Sequence, residues 1–536
     1  MPPYILSLTL PIDIGIVLLS STMFDTAVLG SWSVILSAGV VVLTGLVLSQ
    51  RRGNLPPGPR GLPIIGNLLD VPLKHPWRVY ARWAQKYQSD ILSLRIPGAT
   101  LIILNKGSIV NDLFSKRALI YSDRPQSTLF EMMGVSRLIV FQNYGERWKS
   151  YRRTFKHDFE AETNSASRSH ELAASRRLLR RLLRTKNHEK ELRLTAGDAI
   201  LSVTYGLSPS GEDDSYVALA DETMTLLADV GRGGFIVDAI PILKLLPSWF
   251  PGAGFKDKVA RGAKLVDTAI RTPFETVKAE MATGNFKSSV ASRYLASLDD
   301  FTNTPDKLVD DMRNVLGIAY LGGADTTVAQ LCSFTLAMLL YPEVQKRAQK
   351  ELDAVLHGRF PDFGDYGKIP YVEAIVHEVL RWNPMTPLGV FHVLNQDDSY
   401  EGYVFPKGSI CVANVWAILH DEELYGPKPD EFIPERFLNK DGSINPKRAD
   451  TDAAFGFGRR ICPGRVIARE FVWIAVAHLL TAYDIVDGTD KDGKPLERSK
   501  IEYTSEMISF APHINCTFRL RPGVTEGMIN DAIDAM

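Results

Sequence analysis

Thr26 to Gln50 is an apolar run with no charged residue, dominated by Val, Leu, Ile, Ala and Gly. As a helix it is long enough to cross a hydrocarbon core of about 30 Å. It stops at Arg51-Arg52, whereas Met1 to Gln50 holds no Lys or Arg and carries Asp13 and Asp25. The positive-inside rule then puts the N-terminus in the lumen and everything after Arg51 in the cytosol. No basic stretch precedes the run, which argues against a cleaved signal peptide. A further span within Tyr4 to Phe24 would be interrupted by Pro11 and Asp13.

Leu55-Pro56-Pro57-Gly58-Pro59 and Gly61-Leu62-Pro63-Ile64-Ile65-Gly66-Asn67 follow. Proline fixes φ and removes a donor, so residues 51–67 read as a basic, stiff, extended hinge between an anchor (1–50) and a globular body. The alternation Ile91-Leu92-Ser93-Leu94-Arg95-Ile96, then Thr100-Leu101-Ile102-Ile103-Leu104, predicts a β-hairpin. Helical periodicity dominates thereafter, over 109–116, 146–155, 167–183, 221–230, 262–282, 305–340, 342–356, 371–382 and 463–483. Short strands are expected at 389–393, 400–405, 409–414 and 514–519. The pattern predicts a mainly α protein with small β-sheets: one large domain over 68–521 and a C-terminal tail, 522–536.

Composition narrows the function classes. A net charge of −1 over 536 residues gives no global field for nucleic acid, and no nucleic-acid partner is expected. The four cysteines, Cys332, Cys411, Cys462 and Cys516, lie far apart with no Cys-x-x-Cys spacing, which opposes a zinc site or a disulfide framework. Asn515-Cys516-Thr517 matches a glycosylation sequon that has no meaning on a cytosolic face.

The most specific chemistry lies in Phe455-Gly456-Phe457-Gly458-Arg459-Arg460-Ile461-Cys462-Pro463-Gly464, just ahead of an apolar helical run. A thiolate needs backbone N–H groups and a helix N-terminus around it, and small residues let the backbone curl beneath a flat macrocycle. This stretch resembles the cysteine-ligand motif of the cytochrome P-450 superfamily, Phe-x-x-Gly-x-Arg-x-Cys-x-Gly, with every fixed position filled. The resemblance implies the cytochrome P-450 fold behind a single transmembrane helix, with heme b held by Cys462 as axial thiolate. Gly322-Gly323-Ala324-Asp325-Thr326-Thr327 breaks several helix preferences at once and resembles the family's distal-helix motif. By that resemblance Asp325 relays protons and Thr326 is the distal alcohol. The plainer reading, a polar kink with threonine bonded to a carbonyl one turn back, is compatible with it.

Glu378-Val379-Leu380-Arg381, with Arg436 in Pro434-Glu435-Arg436-Phe437, resembles the family's Glu-Arg-Arg triad, which would lock the cysteine-bearing loop. Trp148 and Arg152, one turn apart, together with Arg460 and His392, stand where the family holds the haem carboxylates. Arg147, Lys149, Arg153, Lys156 and Arg459 suggest a basic face for an acidic electron donor. The chain has no P-loop and no Gly-x-Gly-x-x-Gly in a βαβ setting, so electrons are expected from outside. The resemblance names NADPH-cytochrome reductase and cytochrome b5 as the donors. It also implies a single-pass endoplasmic reticulum protein with a cytosolic catalytic domain, similar to fungal microsomal members.

The aromatic, proline-bounded stretch Pro241 to Gly252 reads as a lid whose tip enters lipid. Segments 129–141, 316–321, 385–391 and 505–508 are mostly apolar and favour a lipophilic substrate; Glu131, Arg137 and Glu506 are candidate readers of a polar group. The expected activity is insertion of one oxygen atom from O2 by hydroxylation or epoxidation, in secondary metabolism or xenobiotic oxidation. The rivals are a haem-thiolate isomerase or dehydratase and a non-catalytic membrane haem binder.

Overall fold

The computed structural model describes residues 54–535, apart from 161–163, 186, 210, 212–213, 232–235, 299–305 and 449. The predicted span 26–50 lies outside the described residues. Helices dominate, and they pack around the 35-residue helix Asp306–Leu340. Among the described residues this helix alone is long and apolar enough to cross a membrane, yet its apolar window is 78% buried inside the body. Burial on nearly every side explains its composition, because a helix at the centre of a core needs no polar face.

The hairpin Ile91–Ile96 and Ala99–Leu104 forms as the alternation predicts. Ala99–Leu104 then pairs in parallel with Ile410–Ala413, which pairs antiparallel with His392–Val393. Among the described residues two further two-stranded antiparallel sheets complete the β structure, Asp398–Tyr400 with Tyr403–Phe405 and Tyr483–Asp490 with Ile514–Leu520. The first of these resolves the single expected strand 400–405 into two, turning at Glu401 and Gly402, both at positive φ. Helices Glu146–Phe155 and Pro342–Leu356 match their predicted bounds.

Three helices of nine residues or more escaped the sequence reading, besides shorter ones such as Val290–Ala296. Pro76–Tyr87 buries Trp77, Tyr80 and Ala84, a helical spacing that was there to be seen. His188–Tyr205 is a different case: it buries polar Thr195, Asp198, Ser202 and Thr204 along with its apolar residues, so no polar and apolar faces alternate. Its ends were better marked, with Asn187 capping Lys190 N–H and Gly206 closing it at φ 73°. Glu526–Asp534 lies in the expected tail and is an integral element. Ile529 is fully buried, and Arg176 Nη1 donates to Ala532 O at 2.7 Å.

From Asn54 the proline-rich segment belongs to the body. Ser93 N–H donates to Pro57 O at 2.9 Å, and Val404 N–H donates to Asn54 O at 2.8 Å. A Cβ at Gly58 would stand 2.1 Å from Ser93 O, so only glycine lets the two backbones meet. Prolines suit this edge because they have no N–H to leave unpaired.

Candidate active site

One cavity of about 340 Å³ gathers most of the predicted chemistry, with Cys462, Thr326, Trp148, Arg152, His392 and Arg460 all on its wall. The cysteine loop is closed by Cys462 N–H donating to Phe455 O at 2.8 Å. Gly458 makes the turn possible: its φ is +54°, and a Cβ there would fall 2.0 Å from Phe114 O. Helix Arg465–Ala482 begins just beyond Gly464, so its positive end lies close in sequence to the sulfur.

At one end of the cavity stand two guanidiniums, Arg124 buried and Arg460 half-buried, for which no ion pair with a carboxylate is found among the described residues, although the charge of Asp123 acts on Arg460. Arg460, its pKa lowered by burial to about 10, gives its donors to the carbonyls of Ser122, Ile139 and Gln142 and lies 4.6 Å over the Trp148 ring. Arg124, which the sequence reading missed, donates to the carbonyls of Val140, Val390 and Phe391. It sits in Ser122-Asp123-Arg124-Pro125 with no helical or motif spacing to mark it. Arg152 Nη1 donates to Ile461 O at 2.5 Å and ties its helix to the cysteine loop. His392 stacks on Phe114 with 4.0 Å between centroids. Its Nδ1 lies 2.7 Å from Tyr121 O, so Nδ1 holds the proton and Nε2 is left as an acceptor. Burial pushes its pKa well down, and Arg124 pushes the same way.

The long helix runs through 322–327 as continuous helix. Thr326 Oγ1 donates to Gly322 O at 2.6 Å, the back-bond expected of a mid-helix threonine. Asp325 does not line the cavity. It turns to Arg193 of helix His188–Tyr205, at 2.9 Å, and Arg193 also holds Asp221 at 2.6 Å. Burial raises the Asp325 pKa, and Arg193 opposes the rise. The two glycines divide their work. Gly322 lines the cavity, whereas a Cβ at Gly323 would meet Ile200 Cγ1 at 2.7 Å, so Gly323 serves helix packing.

Glu378, Arg381 and Arg436 come together with side chains 0%, 0% and 4% exposed. Arg381 forks onto both Glu378 oxygens at 2.6 and 2.9 Å, and Arg436 Nε donates to Oε1 at 3.4 Å. The remaining guanidinium donors reach carbonyls of Leu419, Tyr425, Pro427, Lys428, Pro429 and Glu431. The segment the triad locks thus precedes the cysteine loop; the nearer tie to the loop is His377 with Thr451, at 3.0 Å.

Glu131, Arg137 and Glu506 do not line the cavity. Arg137 pairs with Asp267 at 3.3 Å. Two of the five basic residues expected on a donor-docking face are already paired, Arg147 with Asp311 and Lys149 with Glu146.

Residues 56–507 match the family model described as Cytochrome P450. The chain belongs to the cytochrome P450 family. It is 47% identical to the cytochrome P450 monooxygenase eriA of Hericium erinaceus, over 92% of this chain and 94% of that protein. It is 40% identical to the monooxygenase ple1 of Rhodocybe pseudopiperita, over 90% and 92% of the two chains. Identity to the tryptamine 4-monooxygenase of Psilocybe cyanescens is 39%, over 85% of this chain and 93% of the relative. This cytochrome P450 is therefore a haem-thiolate monooxygenase, its iron carried on an axial cysteine and its electrons supplied by a redox partner. The cavity fits that cofactor. Two cations on the cavity wall, neither in an ion pair among the described residues, suit a macrocycle that carries two carboxylates of its own.

Proposed function

We propose that this cytochrome P450 inserts one oxygen atom, by hydroxylation or epoxidation, into an uncharged lipophilic small molecule of the kind made in fungal secondary metabolism. The observation that carries this reading is the substrate end of the cavity. Leu138, Phe141, Val203, Leu227, Ile318 and Leu388 line it. Among the cavity's residues the one carboxylate is Glu171, which leaves no anion to hold an ammonium group there. The tryptamine-hydroxylating relative thus shares the scaffold without setting the substrate of this chain.

In this reading Cys462 is the axial thiolate, and Arg124, Trp148, Arg152 and Arg460 hold the haem carboxylates, with His392 joining them only when Nε2 takes up a second proton. The haem, when bound, supplies the oxygen-activating chemistry. Thr326 presents its hydroxyl to the cavity, and Asp325 exchanges protons with solvent when it parts from Arg193. Glu378, Arg381 and Arg436 keep the preceding segment in place. Electrons come from NADPH through its cytochrome reductase, with cytochrome b5 as a second donor, docking over Arg153, Lys156 and Arg459. Span 26–50 anchors the chain in the endoplasmic reticulum with the body cytosolic. Trp249 and Leu245, 81% and 72% exposed, touch the lipid surface.

The test is reconstitution with the reductase and isotopically labelled O2, against neutral terpenoid-like compounds and aryl-ethylamines. The neutral compounds should shift the ferric Soret band and gain one labelled oxygen. Turnover confined to the amines would overturn the substrate reading, and products without labelled oxygen would favour an isomerase.

A further inference from the structure

One acidic side chain on the cavity wall has no place in the scheme above. Glu171, on helix Asn164–Leu182, is 0% exposed, and neither of its carboxyl oxygens meets a donor among the described residues. Gln330, 2% exposed, likewise leaves both amide atoms unpartnered. Both line the same cavity as Thr326 and Cys462. Gln330 follows Thr326 by one turn on the long helix, so the two share a face. Interior polar groups are almost always bonded, and four orphaned atoms on one cavity point to a small polar ligand. Water fits, because a neutral carboxyl and a carboxamide each offer it both a donor and an acceptor.

The surroundings of Glu171 favour a bound proton. Burial raises its pKa well above the carboxylate range, Glu470 of helix Arg465–Ala482 adds to the rise, and Arg168, one turn earlier, opposes it. Arg168 is taken up by Glu470, Nη2 to Oε1 at 2.6 Å. The Arg168 side chain is 36% exposed and that of Glu470 7%, so this pair, whose charges both act on Glu171, reaches solvent at its arginine end.

We propose that Glu171 and Gln330 form a buried water-binding site that acts as a second proton reservoir, separate from Asp325 and delivering toward Thr326. Glu171 gives its carboxyl proton to a water held at the Gln330 amide, and that water passes a proton on to the one beside the Thr326 hydroxyl. The Glu171 carboxylate is then reprotonated from solvent past the Arg168–Glu470 pair. No oxidant is involved, and the net change is the proton uptake that monooxygenation already requires. The proposal rests on the monooxygenase reading for its purpose and on the cavity for its place.

Infrared spectroscopy of the ferric holoprotein tests the site without turnover. A protonated-carboxyl C=O band that shifts in D2O should vanish in Glu171→Gln and move in Gln330→Leu, which serves if the first variant folds poorly. Reductase-driven turnover tests the purpose. In an Asp325→Asn background, Glu171→Gln should lower the residual rate by a further factor of about ten or more, the scale of a lost proton donor. Absence of the band, its persistence in Glu171→Gln, or no further loss of rate would overturn the proposal. If Asp325→Asn alone left turnover intact, the role given to Asp325 would fall while the infrared result still decided the Glu171 site.

Discussion

Gly322 and Gly323 are adjacent in one motif, yet alanine should act on them with opposite sign. In a helix interior alanine is favoured over glycine by about 1 kcal/mol. At Gly322, on the cavity wall, the new Cβ meets no protein atom within 4 Å, so in the haem-free chain Gly322→Ala keeps that gain and should stabilise by roughly 0.5–1 kcal/mol. At Gly323 the Cβ would stand 2.7, 2.9 and 3.2 Å from Cγ1, Cδ1 and Cβ of Ile200. Overpacking of that kind costs about 1–3 kcal/mol, so Gly323→Ala should end near neutral or destabilised by up to about 2 kcal/mol. The difference between the variants, about 1–3 kcal/mol, is read from urea unfolding of the haem-free proteins by tryptophan fluorescence. Ile200→Ala removes two of the three close atoms, so the Gly323→Ala/Ile200→Ala double variant should recover most of the overpacking loss in a double-mutant cycle. Equal stability of the two glycine variants, or a cycle with no coupling, would refute the account of Gly323 as the residue that seats helix His188–Tyr205.

Cys462→Ser should remove thiolate ligation and with it the strongly red-shifted Soret band of the reduced carbon monoxide complex, measured by difference spectroscopy. Glu378→Gln leaves two buried guanidiniums without their anion and should cost about 3–5 kcal/mol in urea unfolding, with lower haem content on purification. Arg124→Leu should weaken haem retention by about 2 kcal/mol or more, seen as faster haem transfer to an apoglobin, because a buried cation opposite a carboxylate is lost. Asp325 has its folded pKa raised above its ordinary 3.8, by burial first. The folded protein thus binds that proton more tightly than the unfolded chain, so stability is greatest below the ordinary value and falls as pH climbs through the raised one. Asp325→Asn should flatten that fall in unfolding curves measured across acid pH.

The cysteine loop, the Glu378–Arg381–Arg436 triad and the periodic helices were legible because each is local or tied to a residue order that admits few alternatives. Helix His188–Tyr205 was not, since burial on all sides erases the polar face that periodicity needs. Arg124 and Arg193 were illegible for a related reason. A lone arginine between Ser122-Asp123 and Pro125, or within a run of charged residues, gives no sign that folding will deliver it to a cavity wall or to Asp325.

The sequence by itself carried the mainly helical architecture and, through its resemblance to the family's cysteine-ligand motif, the haem-thiolate chemistry with Cys462 as the expected ligand, because that motif is local, with the turn at Gly458 and the helix start behind Cys462 set by near neighbours. Only the tertiary structure decided which way each side chain faces. Asp325 and Thr326 are adjacent in the chain, but a helix turns about 100° per residue, so one meets Arg193 and the other opens on the cavity. The same long-range packing laid residues from Asn54 onward against Ser93 and Val404, and brought Glu171 to within one cavity of Gln330. Contacts between segments this distant depend on the shapes of every element between them, and no local pattern encodes them.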